Sequence, residues 1–125
     1  MVSTPANLSR WGYELYSSKG NAIPVSVRNK LLNSMKGNSV TFQGTRQKYG
    51  YFVTERIFTL PSSRTITTYG HPGGGGGYST LLRYSPELDL AIAILVNSPL
   101  KFQGSCKKYD PRTCVAESIF AAYSK

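Results

Sequence analysis

The sequence predicts an α+β architecture, a mostly antiparallel sheet with helices flanking it at the N- and C-terminal ends. Three observations predict it. Apolar residues recur at helical spacing near both ends of the chain. Between them lie stretches rich in aromatic and β-branched residues, separated by turn signals. The order helix, helix, strands, helix suits helices packed on a sheet, not the strict alternation that a parallel sheet needs. A chain of 125 residues fits one domain of ordinary size. About two thirds of the surface of such a chain is buried on folding, enough for a core without a metal.

Ser3-Thr4-Pro5 reads as a helix start, a hydroxyl cap followed by a proline tolerated in the first turn. Leu8, Trp11 and Leu15 follow as one buried stripe, and Ser17 to Asn21 closes the helix. The sequon Asn7-Leu8-Ser9 falls inside this helix and is expected to be idle. Pro24 opens a second helix with Val27, Leu31, Leu32 and Met35 on one face and Arg28, Asn29 and Lys30 covering the other. Gly37 ends it. The polar stretch 38–48 is expected to be a loop.

Strands are expected at 49–59, 64–69, 78–84 and 90–96, with turns at Pro61-Ser62-Ser63 and over 85–89. The last is apolar on both faces, so it is expected to be central and covered on both sides. Val115, Ile119, Phe120 and Tyr123 form the stripe of a final helix. Cys106 and Cys114 enclose seven residues and read as a disulfide-closed loop in front of it. Such a bond implies an oxidising compartment. Two cysteines and the single histidine, His71, do not supply the four or so ligands of a zinc site, so no metal and no cofactor are expected. No stretch approaches the ~20 apolar residues of a membrane span, and the first residues carry neither a basic nor an apolar leader region.

The net charge of +9 is scattered, its longest run being Lys107-Lys108. Nucleic-acid binders concentrate charge on one helix or stripe, so no specific nucleic acid is expected. A general preference for anionic surroundings remains, including an acidic polymer.

The most unusual segment is Gly70-His71-Pro72 followed by five glycines, Gly73 to Gly77. It lacks the G-x-x-x-x-G-K-[ST] and G-x-G-x-x-G spacings of a phosphate cradle. A plain hairpin turn is one reading. The other is the wall of an acyl-transfer site, where a proton-handling His71 precedes small residues that let a backbone N–H point at a developing oxyanion.

Here a resemblance becomes specific. Gly70-His71-Pro72-Gly73-Gly74, then Gly77-Tyr78-Ser79, Tyr84-Ser85-Pro86 and the apolar run from Leu90 to Asn97 resemble the C-terminal block of the class C β-lactamase and D-alanyl-D-alanine carboxypeptidase superfamily. Met1 to Trp11 is similar to its "G-G-M-V-S-T-A-x-D-L" segment, and Tyr49-Gly50-Tyr51-Phe52 to its "Y-G-Y-G-W" strand. The similarity runs from residue 1 to about 100. It implies a β-lactamase/transpeptidase-like fold that is incomplete, with residues 1–125 forming a single partial domain. It implies that His71 is the first member of the third motif, Gly73 its glycine, Gly74 an oxyanion donor, and Asn97 a substrate contact. Pro72 departs from K-T-G, removing a hydroxyl and a strand N–H.

The family's chemistry also needs a Ser with a Lys three residues on. The two matches, Ser98-Lys101 and Ser105-Lys108, follow His71, whereas the family places its nucleophile far upstream. No Y-x-N or S-x-N occurs. The resemblance thus implies the C-terminal part of a serine hydrolase, secreted or periplasmic as a parent, acting on a small-molecule or peptide substrate and inactive as this chain alone. Two rivals stand beside it: a non-catalytic basic module for an anionic polymer, and a hydrolase that recruited Ser79 or Ser98 as nucleophile.

Overall fold

The computed structural model describes residues 3–42, 45–98, 104–106 and 110–124. Two helices, α1 (Pro5–Tyr16) and α2 (Val25–Asn33), lead into β1 (Ser39–Phe42), β2 (Thr45–Tyr49), β3 (Thr54–Thr59), β4 (Thr65–Gly75), β5 (Tyr78–Ser85) and β6 (Leu90–Val96), and α3 (Pro111–Tyr123) closes the chain. The strands form one six-stranded sheet in sequence order, each pair antiparallel. The α+β architecture with helices at both ends is therefore as the sequence predicts.

Alternation along the strands makes two cores, one on each face. Phe58, Ile66, Leu81 and Ile92 meet Ala116 and Phe120 of α3. Tyr69, Leu82, Tyr84 and Ala91 point the other way, toward Tyr13, Leu15 and Tyr16 of α1 and Leu31, Leu32 and Met35 from α2 and the turn after it. Phe58 and Phe120 lie with ring centroids 5.8 Å apart. The sheet is thus the middle layer of three.

Several local expectations are corrected. Residues 38–48, expected as a loop, carry the β1–β2 hairpin, with Ser39 opposite Lys48 and Val40 opposite Gln47. Its exposed polar residues belong to a strand pair with little beneath it, so they lack the apolar alternation that signals a strand. The single strand expected over 49–59 is broken at Gly50–Val53, where Phe52 takes a positive φ of 54° and is 84% exposed. The apolar strand 90–96 is β6, and it lies at the edge of the described sheet instead of at its centre. Its two apolar faces are explained by α1 on one side and α3 on the other.

On the helices, Trp11 of the expected buried stripe, Val27 of the apolar face of α2, and Val115 and Tyr123 of the apolar stripe of α3 are exposed. In α1 the buried residues are Gly12 and Tyr16. The side-chain-free Gly12 lets the helix settle directly on Leu82. In α2 the expected polar face contains Arg28, which is buried: its guanidinium donates to the carbonyls of Leu15 and Gly20 and caps the C-terminal end of α1.

Caps explain the other helix boundaries. The Thr4 hydroxyl accepts from the Asn7 N–H at the start of α1, and Pro5 follows it. Asp110 plays the same part for α3, ahead of Pro111. The β5–β6 turn is pinned by Asp89, whose backbone has a positive φ of 48°. Its carboxylate accepts from Tyr13, Ser17, Lys19 and Tyr84. The hydrogen bond from Lys19, joined by those from the hydroxyls, holds that carboxyl below the usual Asp range.

Candidate active-site cleft

The site is built by a mismatch in strand length. The β3–β4 ladder ends at Thr54 opposite Gly70, while β4 continues to Gly75 paired only with β5. Residues 71–75 therefore overhang, with no strand on their β3 side among the described residues. Pro72 sits in this overhang, where a missing strand N–H is tolerated. Gly70 marks the point of departure. Its φ is 153°, and a Cβ built there would lie 1.9 Å from the carbonyl oxygen of Leu82, so no larger residue fits.

The five glycines make a tight hairpin. Gly73, Gly74 and Gly75 pair with Thr80, Ser79 and Tyr78. Gly76 and Gly77 form the turn with φ of 57° and 85°, the sign pattern of a two-residue type I′ loop. The hairpin turn expected from this segment is therefore present, and the glycine strand that leads into it extends β4.

A cleft of about 550 Å³ opens beside the overhang, lined by His71, Pro72, Gly73, Gly74, Ser79, Tyr49, Thr54 and Arg112, among others. Of the residues singled out in the sequence, His71, Gly73 and Gly74 border this one cleft. Asn97 does not join them: it is exposed beyond the end of β6 and lines a second hollow with Ser3, Tyr78 and Ser79. Ser79 borders both hollows. Of the two Ser-Lys matches, Lys101 and Lys108 lie outside the described residues.

His71 is half-buried and held from two sides. Its Nδ1 lies 2.5 Å from the Pro72 carbonyl oxygen, and its Nε2 lies 3.2 Å from the Tyr49 hydroxyl. The neutral tautomer that satisfies both contacts donates from Nδ1–H to Pro72 and accepts at Nε2 from Tyr49. The Tyr49 ring also meets the imidazole edge-on at 5.7 Å. Tyr49 reaches this position because β2 ends opposite the first residue of β3.

Tyr49 carries no site role in the sequence-based expectations, and neither does Arg112, which lines the cleft, nor its partner Asp110. Arg112 is 6% exposed, and its Nη1 donates to the carbonyls of Gly73 and Thr80, at 3.0 Å each. Asp110 takes the rest of the guanidinium, with Nε–Oδ1 at 3.1 Å and Nη2–Oδ2 at 2.6 Å. Burial pushes the Asp110 carboxyl up, but the hydrogen bonds and charge of Arg112 and the helix N–H groups outweigh it and leave it below its usual range. Asp110-Pro111 is a legible helix start. Nothing in the spacing announces that the next residue reaches the glycine strand. Cys106 and Cys114 are bonded, with Cα atoms 5.6 Å apart.

Beneath the cleft a second arginine is enclosed. Arg83, on β5, is 2% exposed and donates to the Thr54 hydroxyl at 2.6 Å. Burial, reinforced by nearby Arg56, lowers its pKa to about 10, which leaves it charged at neutral pH. Its Nε has no hydrogen-bond partner among the described residues. With Arg28, Arg83 and Arg112 all buried, part of the chain's positive charge is spent inside the fold.

A family model described as Beta-lactamase matches residues 1–114, and the chain belongs to that family. Comparison with curated proteins and with solved structures gives no match.

Proposed function

We propose that the chain is the C-terminal part of a serine hydrolase of the class C β-lactamase and D-alanyl-D-alanine carboxypeptidase kind, and that its cleft is one wall of an acyl-transfer site. The observation that carries the reading is the gathering of His71, Gly73 and Gly74 on the overhanging edge of β4, beside a cleft. In the parent, a serine attacks an amide or ester carbonyl, and the Gly74 N–H faces the oxyanion. His71, oriented by Tyr49 and Pro72, assists the proton transfer to the leaving group or holds a substrate carboxylate. Water then releases the acyl group. An extended peptide suits the unpaired edge of β4, which offers backbone groups for strand addition. The disulfide supports a secreted or periplasmic setting. Among the described residues no helix is long and apolar enough to cross a membrane.

This chain, with no Ser-x-x-Lys ahead of His71 and no Y-x-N, is expected to bind without turning over. The test combines a serine-reactive phosphonate, a chromogenic cephalosporin and a peptide ending in D-alanyl-D-alanine. The expected result is no label, no hydrolysis, and peptide-induced amide shifts confined to residues 71–80 that vanish in His71→Ala. Labelling of Ser79 or Ser98 would replace this reading with a recruited nucleophile. A cleft that ignores the peptide, in a protein that heparin retains with steep salt dependence, would replace it with a basic binding module.

A further inference from the structure

We propose that Arg112 is a positioning residue for the glycine strand, and that the Cys106–Cys114 disulfide holds Arg112 in place. The proposal rests on the cleft reading above only for its consequence in substrate binding. Its geometry stands independently.

Five successive glycines carry the largest backbone entropy to be ordered, and β3 does not flank them. The cleft wall therefore needs an external restraint. Arg112 supplies one. A single Nη1 bridges Gly73 O and Thr80 O, two residues directly opposite one another in the β4–β5 ladder. The guanidinium is itself fixed by Asp110, which also accepts from the Arg112 backbone N–H at 2.9 Å. A charged donor buried in low dielectric makes such hydrogen bonds stronger than neutral ones.

Arg112 lies in the first turn of α3, and Cys114 lies two residues later in that turn, buried and bonded to Cys106 in the short 3-10 turn Gly104–Cys106. Thr113, between them, accepts from Arg56 of β3 at 3.2 Å. The start of α3 is thus tied covalently on one side and to three strands, β3, β4 and β5, on the other. A route of direct contacts runs from the disulfide through Asp110, whose carbonyl accepts from the Cys114 N–H, and Arg112 to Gly73 and Thr80. Reduction of the bond removes the covalent end of that route, so thiol redox state sets how well the wall is ordered.

Lysine retains the charge but cannot engage Asp110 with two nitrogens while bridging both carbonyls. Hydrogen exchange on the whole chain tests this with two independent perturbations: Arg112→Lys, and the unmodified protein with its disulfide reduced. Exchange of residues 73–80 is expected to rise about tenfold or more in both, while that of Phe58 and Ile66 in the β3–β4 core stays within about twofold. The His71 ring resonances are expected to shift in Arg112→Lys, since the imidazole sits on the same overhang. Unchanged hairpin exchange under either perturbation overturns the proposal. So does exchange that rises equally throughout, because Arg112 would then only stabilise the fold. If D-alanyl peptide fails to bind the unmodified protein while the hairpin responds as expected, the functional reading falls and the restraint stands.

Discussion

Arg83 is the residue whose chemistry fits its surroundings least. It is enclosed, charged, near another guanidinium, and satisfied mainly through the Thr54 side chain and carbonyl. Replacing a poorly compensated buried charge with an apolar residue of similar length is often neutral or stabilising. Arg83→Met is therefore expected to leave the urea-unfolding midpoint unchanged or to raise stability by about 1 kcal/mol. A loss of more than about 2 kcal/mol would show that the Arg83–Thr54 contact holds β3 and β5 across β4. Arg112 makes the opposite case. Its donors meet Asp110, Gly73 and Thr80, so truncation strands buried partners. The two arginines look alike in the sequence. Only the location of a carboxylate, supplied for one by Asp110 two residues away, separates them.

At the scale of the element, β4 carries the most consequence. Gly70→Ala would drive a Cβ into the Leu82 carbonyl, and the residue's φ adds strain, so a loss of about 2 kcal/mol or more is expected in thermal or urea melts. Gly76→Asn replaces the first turn glycine with the residue that type I′ loops favour, so the same melts are expected to show no loss. A destabilising Gly76→Asn would mean that the hairpin requires freedom in its turn. Strands β5, β6 and the first half of β4 were legible in the sequence because each has a dense apolar or β-branched run bounded by clear turns, whereas the strand expected at 64–69 runs on to Gly75 through glycines that carry no such signal. The β1–β2 hairpin was hidden, because Thr41, Arg46 and Lys48 are solvent-facing and carry no burial signal. Helix existence was legible from caps and prolines. The buried faces were less so, since Gly12 and Arg28 are buried for reasons that hydrophobic periodicity does not encode. Of the site, the glycine strand and His71 stood out by composition. Tyr49 and Arg112 reach it only through the pairing of β2 with β3 and the placement of α3.

Across the whole molecule, the position of β6 sets solution behaviour. Leu90 to Val96 contains no charge and no proline, the two devices that usually protect an edge strand. Concentration-dependent self-association is expected at tens of micromolar or so, by edge-to-edge pairing. Leu95, 36% exposed, is the place to block it: Leu95→Lys is expected to shift sedimentation velocity toward monomer. A clean monomer at all concentrations, with a cooperative melt, would refute the idea. The layers also differ in how they are fastened. The Asp89 carboxylate gathers Tyr13, Ser17 and Lys19, all at or just beyond the last turn of α1, whereas among the described residues the side-chain hydrogen bonds of the first turn stay within the helix and its cap at Thr4. The helix is therefore mounted like a door, hinged at its C-terminal end. If that layer ever swings away from the sheet, it opens from the side of Pro5, and the latch edge is the one nearest the N-terminus.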